Sequence, residues 1–182
     1  ADSNSFESEI KSAFKKVKSL GLNTITVQVR PCADAFYKSS YFPVSKYCFG
    51  VQGSELIYDP LAIMVKAAHN LGLRIEAWVN PYRVSQENDI NALSSGNPAK
   101  KWLEDTEKSS CVYVPDKIYF NPARSEVTEL IVNGVKEIVK NYAVDGIHFD
   151  DYFYPTTNEE IDEKEYSQYQ SSGGDMGLSD WR

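Results

Sequence analysis

Cysteine is scarce in this 182-residue sequence and is not arranged in pairs. Cys32, Cys48 and Cys111 are odd in number, and no two of them have the C-x-x-C spacing of a metal site. An odd count without that spacing argues against both a disulfide framework and a zinc ribbon. We therefore expect free or partly buried thiols, and the sequence indicates no metal and no other cofactor.

Positive charge is also in short supply. The chain has 19 Lys and Arg residues against 26 Asp and Glu residues, which gives a formal net charge of −7. Phosphate backbones and anionic lipids require a basic surface, which this composition does not provide. The charge balance therefore argues against a nucleic acid partner.

Long apolar runs are missing as well. The longest, such as LAIMV at 61–65, fall far short of the roughly 18 residues that a membrane span needs. The sequence has no initial Met and no charged-then-apolar leader, which fits a cytoplasmic protein and a secreted one that has lost its signal equally well. With 42% hydrophobic residues, the chain has enough apolar side chains for one core, so we expect a single domain over 1–182.

The sequence does contain a repeated order of helix, strand and long loop. Periodic apolar positions, caps and glycine stops predict three helices, each followed by an apolar strand that ends in proline or a loop. The predicted helices begin at Asn4 or Ser5, at Asp59 and at Ser125, and the strands lie in 23–31, 73–81 and 144–150. Between the last two strands, 83–116 is predicted as a polar loop with one short helix around Trp102, followed by an extended piece at 117–122.

The alternation within the strands distinguishes two architectures. Helices that alternate with strands predict a parallel sheet, either open and doubly wound or closed into a barrel. An open sheet covered on both faces would be apolar on both, whereas each strand here has one apolar and one polar face. The pattern therefore favours a (β/α)8 TIM-barrel type of fold, of which this chain provides about three βα units.

Polar side chains accumulate where the three strands end, which is where such barrels carry their chemistry. If the strands are aligned by their ends, Arg30, Asn80 and Asp150 form one layer at the mouth, and Gln28, Trp78 and His148 form the layer below. The sequence VDGIHFDDYFYP at 144–155 then places Asp150 in the mouth and Asp151 at the start of the loop. A guanidinium such as Arg30 near Asp150 would keep that carboxylate ionised, which suits a nucleophile or a charge stabiliser.

The remaining candidate residues have both a functional and a structural interpretation. We expect His148 to orient Asp150 by a hydrogen bond rather than to bind metal, because no second His or Glu has ligand spacing. Asp151 is as easily a loop anchor as a catalytic group. Aromatic and polar residues at a barrel mouth can hold sugar rings or simply pack; the predicted substrate-binding residues are Arg30, Asn80, Tyr82, Arg83, Trp78, Tyr152 and Tyr154.

Four segments of the sequence resemble a known family. They are TVQVRPCADAFYKSSYFPVSKY, YDPLAIMVKAAHNLGLRIEAWVNPYRVS, KIYFNPARSEV and VDGIHFDDYFYP, and together they span about 10–157. They are similar to the bacterial glycosyl hydrolase-like family related to glycoside hydrolase family 10. The resemblance implies an eight-stranded barrel, secreted or attached to the cell envelope, that acts on bacterial glycans, in some members on peptidoglycan strands stripped of their peptides.

The resemblance also implies that this chain contains only the second to fourth strands of the barrel. The segment 158–182 is then a polar loop and the start of a helix, capped by Ser179. Glycoside hydrolysis normally needs two carboxylates on opposite sides of the scissile bond, which the neighbours Asp150 and Asp151 cannot both provide. We therefore expect the partner carboxylate outside this chain, and we expect the exposed strand edges to favour self-association.

Two other functions remain open from the sequence. A non-catalytic glycan-binding barrel would keep the aromatic residues and Arg30 without a partner carboxylate. A metal-dependent hydrolase would use His148, Asp150 and Asp151 as ligands instead.

Overall fold

The structure is a computed structural model that describes residues 2–182. Its helices are α1 (Ser3–Ser19), α2 (Lys46–Phe49), α3 (Pro60–Asn70), α4 (Pro98–Leu103), α5 (Ser125–Asn141), α6 (Glu163–Ser171) and α7 (Leu178–Trp181). Its strands are β1 (Thr24–Arg30), β2 (Arg74–Val79), β3 (Arg83–Ser85), β4 (Val112–Tyr113), β5 (Ile118–Phe120) and β6 (Gly146–Phe149). Single 3-10 turns lie at Ile90–Ala92, Ser109–Cys111 and Glu159–Ile161.

The main sheet has three parallel strands in the order β1-β2-β6. The hydrophobic core of the protein lies between one face of this sheet and the helices α1, α3 and α5. In β2 the side chains of Ile75, Ala77 and Val79 are fully buried, whereas Glu76 and Trp78 on the opposite face are partly exposed. This difference confirms the predicted division into an apolar and a polar face, and the sheet is parallel as the helix–strand alternation predicted.

The helix boundaries follow local chemistry. The Asp2 carboxylate caps α1, two or three residues earlier than predicted, by accepting a hydrogen bond from the Ser5 N–H. Asp59 caps α3 as predicted, and Pro60 occupies the first helical position, where its missing N–H costs nothing. Gly21 and Gly72 follow α1 and α3 with positive φ values of 80° and 62°, the conformation that favours glycine after a helix.

A second, antiparallel sheet occupies the region predicted as a polar loop. Strands β3, β5 and β4 pair in that order. Because β3 and β4 lie within 83–116, the prediction of a loop there is wrong for these two segments. The short helix around Trp102 is present as α4, and the Trp102 ring packs edge-on against Phe120 of β5 with 5.4 Å between ring centroids. Because strands of two or three residues are too short to show a period, the polar composition concealed them.

The C-terminal segment contains more helix than the sequence indicated. The nine-residue helix α6 lies where a polar loop was predicted, and α7 begins after Gly177 rather than at a Ser179 cap. The buried Asp162 carboxylate forms an ion pair of 2.8 Å with the Arg182 guanidinium and accepts a hydrogen bond from the Tyr154 hydroxyl. These bonds attach the end of the chain to the loop after β6.

Within residues 2–182, no helix combines the length and apolarity that crossing a membrane requires. The three cysteines are free thiols, with Cys32 and Cys111 buried and Cys48 partly so.

Candidate active site

The polar face of the main sheet presents one row of side chains just below its carboxyl end. Trp78 is in register with Gln28 on one side and with His148 on the other. The Trp78 indole and the His148 imidazole meet edge to face, with 6.0 Å between ring centroids. The predicted row of Gln28, Trp78 and His148 is therefore present.

Arg30 does not join the upper layer. The register of β1 shifts between Gln28 and Arg30, so that Arg30 pairs with Val79 instead of continuing the row of Gln28. A bulge of one residue turns every following side chain to the other face. The predicted layer of Arg30, Asn80 and Asp150 is wrong for this reason.

The Arg30 side chain is instead buried in the helical layer. Its guanidinium lies over the Phe42 ring, 4.4 Å from the centroid, and Phe42 packs closely on Gly134 of α5. Burial lowers the pKa of Arg30 to about 10, against smaller raising effects from Tyr37 and Asp34. Arg30 is only 1% exposed, so direct contact with a substrate is not available to it in this arrangement.

Asn80 is buried and already committed to two partners. Its Oδ1 accepts a hydrogen bond of 2.8 Å from the Trp78 indole N–H, and its Nδ2 donates at 3.1 Å to the Pro31 carbonyl. Asn80 thereby fixes the Trp78 ring and joins the end of β2 to the loop after β1. This geometry assigns it to positioning the site more readily than to binding a sugar.

Asp150 and Asp151 leave the sheet with different conformations. The Asp150 N–H still donates to the Val79 carbonyl at 3.3 Å, which keeps Asp150 in strand register, and its carboxylate accepts from the Asp151 N–H at 2.7 Å. Asp151 has a φ of 53°, the left-handed region that Asp and Asn enter more easily than most residues. The turn therefore directs the two adjacent carboxylates in different directions.

Arg83, rather than Arg30, provides the cation at this site. Its guanidinium lies 2.5 Å from the Asp151 carboxylate, and both side chains are partly buried. Strand β3 carries Arg83, and its antiparallel partner in β5 is Tyr119. Burial raises the pKa of Tyr119, while Arg83 lowers it and Asp151 raises it, so Tyr119 lies within the influence of both charges.

His148 is exposed and makes no hydrogen bond within the part of the chain that the structure describes. The expected hydrogen bond from His148 to Asp150 is thus not formed. Across residues 2–182 no group of three His, Cys, Asp or Glu side chains is arranged to hold a metal ion.

Aromatic side chains border a cleft of about 360 Å³ next to the Asp150–Asp151 turn. Its lining residues are Tyr82, Pro122, Ala123, Tyr152, Tyr154, Trp181 and Arg182. Tyr154 is held in place by its hydroxyl bond to Asp162 and by the Arg182 guanidinium 4.8 Å above its ring. Three predicted substrate-binding residues are thus brought together in one cleft, an arrangement suited to the faces of sugar rings.

Sequence reasoning did not identify Tyr119 or Trp181 as members of this region. The alternation in KIYF places Tyr119 opposite the buried Ile118 and Phe120, which could have indicated it. Trp181 carries no such signal, because its position depends on the folding of 158–182 back onto the loop after β6. Tyr37 and Phe42, two further aromatic residues in the loop after β1, are buried core residues.

The parallel sheet, the carboxylates at its carboxyl end and the aromatic cleft are features of α/β glycosidases. The chain matches the model of the glycosyl hydrolase-like 10 family over residues 3–182, and it belongs to that family.

Two curated relatives support the assignment. The chain is 39% identical to glycosyl hydrolase YngK of Bacillus subtilis (strain 168), covering 91% of this chain and 32% of that protein. It is 35% identical to glycosyl hydrolase DigH of Escherichia coli (strain K12), covering 90% of this chain and 38% of that protein. The chain thus spans about a third of the length of these curated relatives.

Solved structures agree with the fold. Alpha-L-fucosidase isoenzyme 2 from Paenibacillus thiaminolyticus superposes with a TM-score of 0.59 at 21% sequence identity, covering 91% of this chain and 23% of that chain. At this identity the likeness shows the fold alone, and it matches this chain to part of a TIM barrel.

Proposed function

We propose that this chain is part of a (β/α)8 barrel glycoside hydrolase that acts on bacterial cell-wall or related polysaccharide. The main sheet would provide three neighbouring strands of the barrel, and the remaining strands would close it around the polar face. The single observation that carries the proposal is the Asp150 carboxylate, which lies at the strand end without an ion-pair partner among residues 2–182, beside a cleft of aromatic side chains. Secretion or attachment to the cell envelope would follow from such a substrate.

In this proposal Asp150 is the nucleophile or charge stabiliser of the reaction. Asp150 continues the strand register toward the mouth, and its carboxylate has no cationic partner among residues 2–182. Asp151 is bound to Arg83 and has a turn conformation, so its role is to position the loop and the Asp150 backbone. The partner carboxylate comes from a later strand, since retention needs a separation of about 5 Å and inversion a larger one across the sugar.

The second candidate function is a non-catalytic glycan-binding barrel. It is favoured by the same aromatic cleft, whose Tyr154 is rigidly held and whose Tyr82 and Tyr152 border it from two different loops. Aromatic platforms of this kind bind sugar rings whether or not a reaction follows. The difference between the two functions therefore depends on Asp150 and not on the cleft.

The test compares the full-length protein with its Asp150→Asn variant on purified glycan strands freed of peptides. We expect the parent to release shorter glycans and the variant, which is isosteric, to fold equally well and lose at least a thousandfold in turnover. A loss within about tenfold would correspond to only 1.4 kcal/mol of barrier and would be too small for this role. Glycan binding by both proteins without any cleavage would favour the non-catalytic barrel, and activity abolished by a chelator would favour a metal-dependent hydrolase.

A further inference from the structure

A pair of exposed aromatic rings directly follows the Asp150–Asp151 turn. Tyr152 and Phe153 stack on each other with 4.8 Å between ring centroids and 24° between ring planes. They are 56% and 64% exposed, and Phe153 is the most exposed of the eight phenylalanines in the chain. A single exposed apolar side chain is ordinary, but apolar side chains that stay together at a surface indicate a binding site.

The two rings of this aromatic pair have different surroundings. Tyr152 borders the aromatic cleft described above, whereas Phe153 does not line that cleft. The Tyr152 ring covers part of one face of the Phe153 ring, so the exposed surface of Phe153 is its edge and its other face. Phe153 also has no hydroxyl group that water could bind. It therefore presents a planar, purely apolar surface to the solvent.

The residues on both sides of the aromatic pair are anchored. Asp151, immediately before it, forms the ion pair of 2.5 Å with Arg83. Tyr154, immediately after it, donates its hydroxyl to the buried Asp162 carboxylate. A two-residue segment between two anchored residues has little conformational freedom to lose when a ligand binds, which favours affinity. The rings are thus displayed in advance.

The aromatic pair is also close to the proposed catalytic carboxylate. Phe153 follows Asp150 by three residues, so their Cα atoms lie at most about 11 Å apart. Both belong to the loop at the carboxyl end of a parallel strand, which is where barrels of this type bind their ligands. A sugar ring on Phe153 and a sugar ring at Asp150 can therefore belong to the same glycan chain.

The local charge favours an uncharged ligand over an anionic one. Residues 150–160 contain four acidic residues and no Lys or Arg, and Arg83 pairs with only one of the four, Asp151. A negatively charged group would be repelled here and would gain nothing from a phenyl ring. The C–H face of a pyranose ring is apolar and flat, and such faces stack on aromatic side chains.

We propose that the exposed face of Phe153 is a sugar subsite, on which an uncharged pyranose ring of the glycan stacks through its C–H face. The inference rests on the proposed glycan substrate and adds to it a residue that determines specificity. The Tyr152 ring supports Phe153 from the opposite side. The ring bound here lies in the same chain as the ring at Asp150, so the subsite helps to place the scissile bond.

The principal test compares Phe153→Leu with Phe153→Trp in the full-length protein. Both variants carry Asp150→Asn as well, so that binding is measured without cleavage. Leu keeps an apolar side chain but removes the planar ring, whereas Trp keeps a ring that can stack. We expect the Kd for peptide-free glycan strands, measured by calorimetry, to rise about tenfold for Phe153→Leu and to stay within about threefold for Phe153→Trp.

A matched control and a stability measurement accompany this test. Tyr47→Leu removes an aromatic ring of similar exposure, 61%, that does not line the aromatic cleft, and should leave the Kd within about twofold. The thermal unfolding temperature of Phe153→Leu should stay within about 2 °C of its background, because an exposed ring contributes little to folding. A fall of more than about 5 °C would show that the rest of the full-length protein buries Phe153, which would overturn the subsite.

The outcomes separate this inference from the proposed function. If the parent cleaves glycan strands and Phe153→Leu binds them as tightly as Phe153→Trp, the subsite is overturned and the hydrolase remains. If the parent binds glycan without cleaving it and only Phe153→Leu loses that binding, the subsite is supported and hydrolysis is overturned. A parent that neither binds nor cleaves these strands would overturn both.

Discussion

Arg83 and Asp151 form an ion pair of 2.5 Å that joins the small antiparallel sheet to the carboxyl end of the main sheet. Asp151 reaches Arg83 because its backbone turns into the left-handed region immediately after Asp150. The pair therefore fixes the turn that presents the Asp150 carboxylate. One of the two adjacent acidic residues is held in an ion pair, and the other has no ion-pair partner among residues 2–182.

The first prediction separates the roles of these two residues. Asp151→Asn keeps the size of the side chain and tolerates the positive φ, but removes the charge that binds Arg83. We expect the full-length protein to lose about tenfold in turnover on glycan strands, since a partly exposed ion pair contributes only about 1 kcal/mol. Asp150→Asn should lose at least a hundred times more than this.

The comparison can also contradict the assignment. If Asp151→Asn abolishes turnover while Asp150→Asn retains most of it, the two residues have exchanged roles. Asp151→Gly is the matched backbone control, because glycine adopts the same φ without strain. It should behave like Asp151→Asn if only the carboxylate matters.

The alternation of helices with strands was sufficient to predict the parallel sheet, and the alternation within the strands predicted the row of Gln28, Trp78 and His148. It could not predict the displacement of Arg30, because a bulge has no signature in a seven-residue strand whose other positions alternate regularly. The Arg83–Asp151 ion pair could not be predicted from the sequence either. It depends on strands too short to be periodic, and on long-range pairing within a region whose polar composition resembles a loop. The strand pattern and the family resemblance both indicated the fold class, whereas local contacts decided which candidate residues meet.

The second prediction concerns the layer that contains Arg30. A Cβ atom at Gly134 would lie 2.7 Å from Cε2 of Phe42, and the Arg30 guanidinium lies over the same ring. Gly134→Ala gains about 1 kcal/mol of helix propensity but forces a buried ring to move, at a cost of about 1–3 kcal/mol. We expect a net loss of stability in denaturant unfolding. Asn133→Ala, on the same helix, is the control, and an equal or greater stability of Gly134→Ala would show that Phe42 moves freely.

The third prediction concerns the attachment of the C-terminal segment. Burial raises the pKa of Asp162, but hydrogen bonds from Arg182 and Tyr154 outweigh it, and the net shift is downward. A carboxylate with a lowered folded-state pKa stabilises the fold above its unfolded value of about 3.9, and this stabilisation is lost as the pH falls through the folded value. We expect amide protection in α6 to decrease selectively below about pH 4.

Arg182→Met should reproduce this loss at neutral pH. It keeps much of the side-chain volume but leaves the buried Asp162 carboxylate without its cation, at a cost of about 3 kcal/mol. Hydrogen exchange measured in α6 and in α3 provides the comparison within one sample. Equal loss of protection in both helices would mean that the segment unfolds together with the main sheet rather than separately.

The last prediction concerns the 182-residue chain studied by itself. Strands β1 and β6 are the edges of the main sheet, and next to β6 lies an apolar cavity of about 380 Å³ whose lining includes Ile131, Val132, Phe149 and Tyr152. Val132, Phe149 and Tyr152 are each more than two-fifths exposed. Unpaired strand edges beside apolar side chains favour pairing with another chain, and the partner carboxylate would be missing.

We therefore expect this chain alone to self-associate and to cleave no glycan. Light scattering and a glycan cleavage assay on the same sample measure both properties. Val132→Lys combined with Tyr152→Lys should shift the chain toward monomer, whereas Ile57→Lys, at an exposed apolar residue that does not line this cavity, should not. A stable monomer that hydrolyses glycan strands at an ordinary enzymatic rate would contradict the proposal, because the three strands would then contain a complete active site.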